Sequence, residues 1–168
     1  MEFYRSPFEA DARLADDPQD LRVEFELLCD ELATITGVLA GQAVGYRPQL
    51  LEVAQMIVDA QSTLRTQWRV TPARLGWLHE QQQELADLAG HRRPVLPQGS
   101  VAAGTAHLAR VRAKAMVRLL YRCVRQGTEV PPPLIDFANL LIGYYYYLAM
   151  ALNRMNGVSE IEAPGRNY

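Results

Sequence analysis

The sequence predicts an all-α protein that folds as a single bundle of five helices. Apolar residues recur at intervals of three and four along most of the 168 residues, which is the spacing of one helix face. Proline, glycine and capping residues divide the chain into five such segments, and no sustained two-residue alternation indicates a strand. We therefore expect an irregular segment over residues 1–16, a helical bundle over 17–157 and a C-terminal tail over 158–168.

The first two helices have recognisable starts. Asp17 followed by Pro18 is typical of an N-cap with proline at the first helical position, and the apolar stripe then continues to Gly41. Pro48 begins the second segment, whose apolar residues extend the stripe towards Trp68. We expect the first two helices to occupy these two segments.

The last three helices are separated by a connector and a proline run. Thr71 and Pro72 repeat the cap-and-proline signature before the third helix. The connector RRPVLPQG follows, and Ser100 begins a fourth helix that runs to Gly127. The run VPPP then starts the fifth helix, which Gly157 ends. Five helices with mostly short connections favour a bundle.

Composition and charge limit the classes of function. Charged residues make up 21% of the chain and the net charge is −2, which argues against a protein held to nucleic acid by bulk positive charge. Cys29 and Cys123 lie in separate helical segments, which favours buried thiols in a reducing compartment. The longest uncharged run, residues 137–153, is shorter than the roughly 20 apolar residues that span a bilayer. We therefore predict a cytoplasmic protein without a membrane or nucleic-acid partner.

Residue types that bind metals or act as nucleophiles are not arranged in a known pattern. The three histidines, His79, His91 and His107, lie in different segments, and the sequence contains no Cys-x-x-Cys or His-x-x-x-His pair. It also lacks a Gly-x-Ser-x-Gly motif and a glycine-rich phosphate loop of either common type. We predict no metal ion held by protein ligands.

The fourth helix carries a continuous polar and basic stripe. Its members recur at three and four positions: His107, Arg110, Lys114, Arg118 and Tyr121. A solvated helix face is the ordinary interpretation of such a stripe. A separate set of arginines on the same helix, however, already supplies one charged face, so the stripe also fits a cleft or a subunit interface. A buried basic stripe needs an acidic partner, and Asp30 in the apolar first helix is the best candidate.

Four consecutive tyrosines, Tyr144 to Tyr147, stand inside an apolar run of the fifth helix. Successive helical residues turn by about 100°, so four neighbours cannot all face one core. Some of these rings must therefore meet solvent, a ligand or another subunit.

Three blocks of the sequence resemble the propanediol-utilisation-type ATP:corrinoid adenosyltransferases. The block DPQDLRVEFELLCDELATITGVLA is similar to the family pattern R-V-E-x-x-G-x-x-D-E-L-N. The block VLPQGSVAAGTAHLAR is similar to F-x-L-P-G-G-x-x-A-A-x-L-H-x-A-R, and LIDFANLLIGYYYYLAMALN to L-x-x-L-N-R-L-S-D-Y-L-F-x-x-A-R-x-x-N. The blocks occur in the family's order with similar separations, over roughly residues 17 to 156.

The resemblance implies a fold, an assembly and a reaction. The fold would be the family's five-helix bundle, assembled as a homotrimer with active sites between neighbouring subunits. The reaction would transfer the 5′-deoxyadenosyl group of ATP to cob(I)alamin. The ligands would accordingly be cobalamin (or another corrinoid) and ATP with Mg²⁺, and the partners small molecules and further copies of the chain.

The resemblance also assigns roles to residues of the first, second and third blocks. Asp30 matches an aspartate that pairs with the helix-four arginine, and Arg110 matches that arginine. His107 matches the histidine of the same block. Lys114 stands where the family has a second arginine that touches the nucleotide, and Asn139 matches an asparagine of the last block that would contact the nucleotide. Arg110, Lys114 and Asn139 would then act in catalysis, with Asp30 and His107 on the corrinoid side.

Two further assignments complete the expected site. Arg118 would help Lys114 to bind the leaving triphosphate. Tyr144 to Tyr146 fall on the Y-L-F positions of the family pattern, and we expect Tyr145 and Tyr146 in the cleft or at the trimer interface. The remaining two tyrosines would divide between core and interface.

The sequence departs from the family pattern most clearly at the N-terminus. The family's T-G-D-x-G-x-T loop cradles the triphosphate, whereas FYRSPFEADARLADD contains no glycine. Pro94 stands in place of a phenylalanine that shields the corrin, Val117 in place of a glutamate, and Leu140 and Gly143 in place of an arginine and an aspartate. Two alternatives therefore remain: a non-catalytic protein that binds a corrinoid or another planar ligand, and a bundle that scaffolds a partner complex.

Overall fold

The protein folds into five α-helices that pack as one bundle. The computed structural model describes residues 3–90 and 93–163. The helices are α1 (Leu21–Gln42), α2 (Arg47–Ala60), α3 (Pro72–Ala89), α4 (Val101–Arg125) and α5 (Pro132–Met155). Within the described ranges there is no strand, only an isolated antiparallel bridge between Val95 and Glu162. The predicted all-α five-helix bundle is therefore confirmed.

The helices are arranged around a shared apolar core. α5 packs between α3 and α4, α4 also packs on α1, and α1 packs on α2. The largest fully buried side chains include Phe25 of α1, Met116 of α4, and Phe137 and Tyr144 of α5. Since α5 has neighbours on two sides, most of its circumference is apolar and buried, and this fixes which tyrosines reach the surface.

Two of the predicted helix limits are wrong. α1 begins at Leu21, because the Asp20 side chain accepts a hydrogen bond from the Arg22 amide at 3.0 Å and caps it. Asp17 instead closes a preceding turn, where its side chain accepts from the Gln19 amide at 2.8 Å. α2 ends at Ala60 and not near Trp68, since the chain leaves the helix in a series of turns after residue 60.

The predicted starts of the third and fourth helices are confirmed by their caps. The Thr71 side chain accepts from the Arg74 amide, and Pro72 is the first residue of α3. The Ser100 side chain accepts from the Ala103 amide at the start of α4. Gly157 follows α5 with a φ of 67°, the left-handed conformation expected where a helix stops.

The two ends of the chain are more ordered than the sequence suggests. In the N-terminal segment, Ala12–Ala15 form a short 3-10 helix. The tail pairs with the connector before α4: the Leu96 amide donates to the Ile161 carbonyl at 2.8 Å, and the Ala163 amide donates to the Pro94 carbonyl at 2.9 Å. The prediction for residues 1, 2 and 164–168 lies outside the described residues.

α5 is long and apolar enough to cross a membrane by length and composition, and 56% of its most apolar stretch is buried in the bundle. Among the described helices, α1 and α2 would meet the same test only as one bent pair, and the bend between them is 119°. The burial of α5 agrees with its prediction as a core helix. Cys29 and Cys123 are buried, free thiols, as expected.

Candidate functional site

A cavity between α3, α4 and α5 brings together several of the predicted site residues. Its volume is about 300 Å³, and we call it the Arg110 cavity. It is lined by Gln82, Pro94, Arg110, Lys114, Ile142, Gly143, Tyr146 and Tyr147. Two cations, two aromatic rings and one amide thus face a common space, which is the mixture of apolar walls and few polar groups found in ligand sites.

A second cavity lies beside it along α4 and shares Lys114 and Ile142 with the first. We call this space of about 320 Å³ the cationic cavity. Its lining is Lys114, Val117, Arg118, Tyr121, Arg122, Arg125 and Ile142. These residues include four cations and no carboxylate. Arg122 also pairs with Glu24 at 3.0 Å, so the positive charge that suits a polyanionic group comes chiefly from Lys114, Arg118 and Arg125.

A larger groove between α1 and α4, of about 670 Å³, differs in its electrostatics. Its acidic residues already hold arginines: Glu24 accepts from Arg122 at 3.0 Å, and Glu31 forms an ion pair with Arg112. Because most of its charges are compensated within the chain, size alone does not make this groove the better candidate for a ligand site.

Arg110 is the central residue of the Arg110 cavity. It is only 5% exposed, and its guanidinium carbon lies 5.6 Å from the centre of the Tyr146 ring, in cation–π range. Its Nε finds no hydrogen-bond acceptor among the described residues. A buried guanidinium with an unpartnered donor is costly, so the position favours an acceptor supplied by a ligand or another chain.

His107 lies one turn before Arg110 and is 3% exposed. Its ring meets the edge of Tyr146 at a centroid distance of 6.4 Å. Burial, followed by the nearby Arg110 charge, lowers the pKa of His107 to about 4, so the imidazole is neutral at pH 7. Neither of its ring nitrogens has a hydrogen-bond partner in the described part of the chain.

Tyr146 connects the cavity to the connector that precedes α4. Its hydroxyl donates to the Arg93 carbonyl at 2.9 Å, next to Pro94. Its ring packs edge-on against Tyr147 at 5.4 Å. The tyrosine therefore supports the Arg110 guanidinium with its face and holds the Pro94 side of the cavity with its hydroxyl.

Comparison with known proteins decides the family. The family model described as "Cobalamin adenosyltransferase" matches residues 16–152, which is most of the chain. This protein belongs to the cobalamin adenosyltransferase family. No match was found among curated proteins.

Solved structures similar to this chain carry the same fold. A phenylalanine-to-histidine variant of the PduO-type ATP:corrinoid adenosyltransferase from Lactobacillus reuteri, complexed with cobalamin and ATP, matches with a TM-score of 0.79 at 18% identity over 88% of this chain and 86% of that chain. A phenylalanine-to-alanine variant with the same ligands matches with a TM-score of 0.76 at 20% identity, covering 87% of each chain. An arginine-to-lysine variant complexed with ATP matches with a TM-score of 0.77 at 19% identity over 86% of this chain and 87% of that chain.

Within one chain of this cobalamin adenosyltransferase family member, the predicted pair of Asp30 with Arg110 is not formed. Asp30 is exposed on α1, and its carboxylate accepts a hydrogen bond from Gln61 Nε2 at 3.0 Å. Arg110 is instead buried against Tyr146 on the α5 side of α4. The two side chains thus lie on different sides of one chain, and a pair of Arg110 with Asp30 of a neighbouring copy stays a prediction.

The prediction that Tyr145 faces the cleft or an interface is wrong. Tyr145 is fully buried in the bundle core, where its hydroxyl and the Thr36 hydroxyl are 2.6 Å apart. Burial raises its pKa well above the usual value for tyrosine. Tyr144 is buried as well, so α5 directs these two rings to the core, and Tyr146 and Tyr147 to the Arg110 cavity.

The other predicted residues are distributed along the two cavities or lie outside them. Lys114 is half-buried and lines both cavities, whereas Arg118 is exposed and lines the cationic cavity. Asn139 is exposed on α5, donates to the Ile135 carbonyl at 2.9 Å, and lines neither cavity. Its predicted contact with a nucleotide therefore remains a prediction.

Three residues that line the Arg110 cavity were not singled out from the sequence as ligand contacts: Gln82, Ile142 and Tyr147. Gln82 stands within a run of three glutamines on α3, and no spacing signal separates it from its exposed neighbour Gln83. It could have been suspected only from Gly143: the Gln82 amide carbon and nitrogen lie 2.6 Å from where a Cβ at that glycine would stand. The glycine that replaces the family's acidic residue thus makes room for a side chain from another helix.

Metal-binding potential is low in the part of the chain that the structure describes. Residues 3–90 and 93–163 contain no group of three or more His, Cys, Asp or Glu side chains that could hold an ion. His91 lies outside the described residues. Buried His107 belongs to no such group, and the nearby Arg110 cation disfavours a metal ion at its ring.

Proposed function

We propose that this protein is an ATP:corrinoid adenosyltransferase whose site lies between neighbouring subunits of a homotrimer. The observation that carries the proposal is the pair of adjacent cavities that share Lys114, one lined by aromatic rings and Arg110, the other by four cations. An apolar compartment next to a cationic one suits a reaction between a large planar ligand and a nucleotide triphosphate. The family and the relatives complexed with cobalamin and ATP support this reading.

The Arg110 cavity is suited to the corrinoid edge. Tyr146 and Tyr147 supply flat aromatic surface and Pro94 supplies an apolar wall. Arg110 supplies its Nε–H, a donor that finds no acceptor in residues 3–90 and 93–163. Phenylalanine variants of the Lactobacillus reuteri enzyme form complexes with cobalamin and ATP. Binding of both ligands by that enzyme therefore survives the replacement of one phenylalanine, which is compatible with a corrinoid site here that has Pro94 in its wall.

The cationic cavity is suited to the triphosphate. Lys114, Arg118 and Arg125 would surround it with positive charge, which stabilises a leaving group that becomes more anionic during the reaction. Lysine offers a point charge in place of the two-pronged guanidinium of arginine, so positioning by Lys114 is less strict. An arginine-to-lysine variant of the Lactobacillus reuteri enzyme is complexed with ATP, and such an exchange is thus compatible with nucleotide binding in that protein.

The dimensions of the Arg110 cavity argue for a site completed by a second chain. Its volume of about 300 Å³ is at the lower end of sites for drug-sized molecules, and a corrinoid is larger than these. A neighbouring copy would cover the rest of the ligand. Exposed Asp30 of that copy is the candidate partner for Arg110, whose Nε has no acceptor among the described residues.

An exposed apolar surface on α1 and α4 supports assembly. Leu27 and Val38 of α1 and Leu108 and Val111 of α4 are each half-exposed, although the two helices pack together. Exposed apolar side chains on two neighbouring helices favour a subunit contact. We infer that this surface takes part in the trimer, and that the buried free thiols suit the cytoplasm.

The reaction is a nucleophilic substitution at the 5′-carbon of ATP. The electron pair of the reduced corrinoid cobalt forms a bond to that carbon, while the bond from carbon to the triphosphate oxygen breaks and triphosphate leaves with the electrons. The protein needs only to position both substrates, exclude water and stabilise the leaving charge. Arg110 and Tyr146 would position the corrinoid, and Lys114 with Arg118 would bind the triphosphate.

A second candidate is a corrinoid-binding protein without catalysis. The observation that favours it is the N-terminal segment, which has no glycine and forms a 3-10 helix at Ala12–Ala15 where the family pattern has its phosphate loop. Its arginines are paired with its own acids, as Arg5 is with Glu9 at 2.9 Å. Triphosphate would then depend on the cationic cavity alone.

The proposal is tested by cobalamin titration and by adenosylcobalamin formation from reduced cobalamin and ATP. We expect Arg110→Met to weaken cobalamin binding at least tenfold, and Lys114→Met to lower product formation at least tenfold with cobalamin affinity little changed. Exposed Arg47→Met on α2 is the control and should change neither. Cobalamin binding without product in the unaltered protein would select the second candidate, and no binding would exclude both.

A further inference from the structure

Gln82 owes its position in the Arg110 cavity to a missing side chain on α5. It projects from α3, and its amide carbon and nitrogen lie 2.6 Å from the point where a Cβ on Gly143 would stand. Any other residue at position 143 would therefore displace the amide, because close-packed atoms do not approach to that distance. Gly143 and Gln82 form one structural unit.

Hydrogen-bond donors outnumber acceptors among the side chains that line the cavity. Arg110 and Lys114 are donors only, and the Tyr146 hydroxyl donates to the Arg93 carbonyl. Gln82 adds a carbonyl oxygen to this lining. That Oε1 is buried and accepts no hydrogen bond from the described residues. Because a buried carbonyl oxygen without a donor is unfavourable, the Gln82 amide would gain from turning towards an N–H group on a ligand.

We propose that Gln82 is a specificity-determining residue that recognises a primary carboxamide on the rim of the corrinoid. A carboxamide has an oxygen that accepts from Arg110 or Lys114 and an N–H that donates to Gln82 Oε1. A carboxylate offers only acceptors, so Gln82 could meet it only through Nε2–H, which would leave Oε1 without a donor. The inference rests on the proposed function, since it takes the corrinoid as the ligand of this cavity, and it names the group that the cavity distinguishes.

The test compares cyanocobalamin with its derivatives in which one side-chain carboxamide is hydrolysed to a carboxylate. Titration of the full-length protein should show that at least one monocarboxylate binds about 3- to 10-fold more weakly than cyanocobalamin. Gln82→Met, which keeps the length of the side chain without its amide, should abolish this preference. Gly143→Ala should do the same, because its Cβ displaces Gln82.

Gly76→Ala is the matched control on α3, since a Cβ there meets nothing within 4 Å, and it should keep the preference. Thermal unfolding of each variant verifies that it is folded; Gln82→Met remains decisive if Gly143→Ala does not fold. Equal binding of all derivatives by the unaltered protein, or a preference that persists in Gln82→Met, would overturn the role of Gln82 and leave the proposed function standing. Failure of cyanocobalamin to bind at all would overturn both.

Discussion

His107 couples the candidate site to the stability of the bundle. It is buried beside Arg110 and Tyr146, and its pKa of about 4 lies below the ordinary value of 6.5. Between pH 6.5 and 4 the unfolded chain therefore binds a proton at this residue that the folded protein does not. The contribution of neutral His107 to the free energy of unfolding is present above pH 6.5, and it is lost as the pH falls through this range.

We expect the free energy of unfolding to decrease by up to about 3 kcal/mol from this residue alone as the pH is lowered across that window. Urea unfolding of the unaltered protein and of His107→Gln, at several pH values from 7 to 4, measures the difference in slope. The variant should show a shallower decline. Exposed His79→Gln on α3 is the control and should keep the original slope. Equal slopes for all three proteins would contradict the assignment.

Arg110 and the tyrosines show what residue patterns can predict. The stripe at three and four spacing correctly grouped Arg110 with Lys114, because both positions face one side of α4. Tyr145 and Tyr146 differ by about 100° on α5, and no pattern in the sequence says which of them faces the core. The Thr36 hydroxyl, which meets Tyr145 from α1, decides this, and such a contact between distant segments is not visible in the sequence.

At the scale of elements, the connector before α4 is held by one side chain of α5. Asn153 is fully buried; its Oδ1 accepts from the Ser100 amide at 3.0 Å, and its Nδ2 donates to the Gln98 carbonyl at 3.0 Å. The same amide nitrogen donates to Glu160 of the tail. Gly99 has a φ of 120°, and a Cβ there would collide with Asn153. One amide thus fixes the connector, the start of α4 and the tail.

We expect Asn153→Ala to lower the free energy of unfolding by about 2–4 kcal/mol, because it leaves the Gln98 carbonyl and the Ser100 amide without partners. Urea unfolding measures this loss, and hydrogen exchange should accelerate at the Leu96 and Ala163 amides. Asn156→Ala, one turn further on an exposed position, should cost under about 1 kcal/mol. A similar loss for both variants would show that Asn153 does not hold the connector.

The start of a helix could be predicted where the sequence offers a single capping residue. Thr71 and Ser100 cap as expected, because each precedes an apolar-periodic segment with no competing cap nearby. Asp17 and Asp20 both satisfy the capping rule, and the choice of Asp20 is made by Leu21, whose burial in the core requires the helix to begin there. The end of α2 was missed for the related reason that its stripe continues into residues packed as turns.

At the scale of the whole molecule, the bundle itself is predicted well because its helices are long and periodic. The exposed side of α1 and α4 is less predictable: it carries apolar side chains that the single chain leaves exposed, beside the charged residues of the groove between the two helices. Val111 on α4 is 50% exposed and Val58 on α2 is 47% exposed. Only Val111 lies on the surface assigned to the trimer, and the two valines therefore form a matched pair for testing assembly.

We expect the unaltered protein to sediment as three chains and Val111→Glu to shift it towards the monomer, since a carboxylate in a subunit contact loses its hydration without gaining a partner. Val58→Glu should remain assembled. Thermal unfolding of the dissociated monomer should stay cooperative, because an exposed valine contributes little to the core of its own chain. Cobalamin binding should weaken together with assembly if the second subunit completes the site. A monomeric unaltered protein that still binds cobalamin would exclude the interfacial site, whereas equal dissociation by both variants would exclude this surface as the contact.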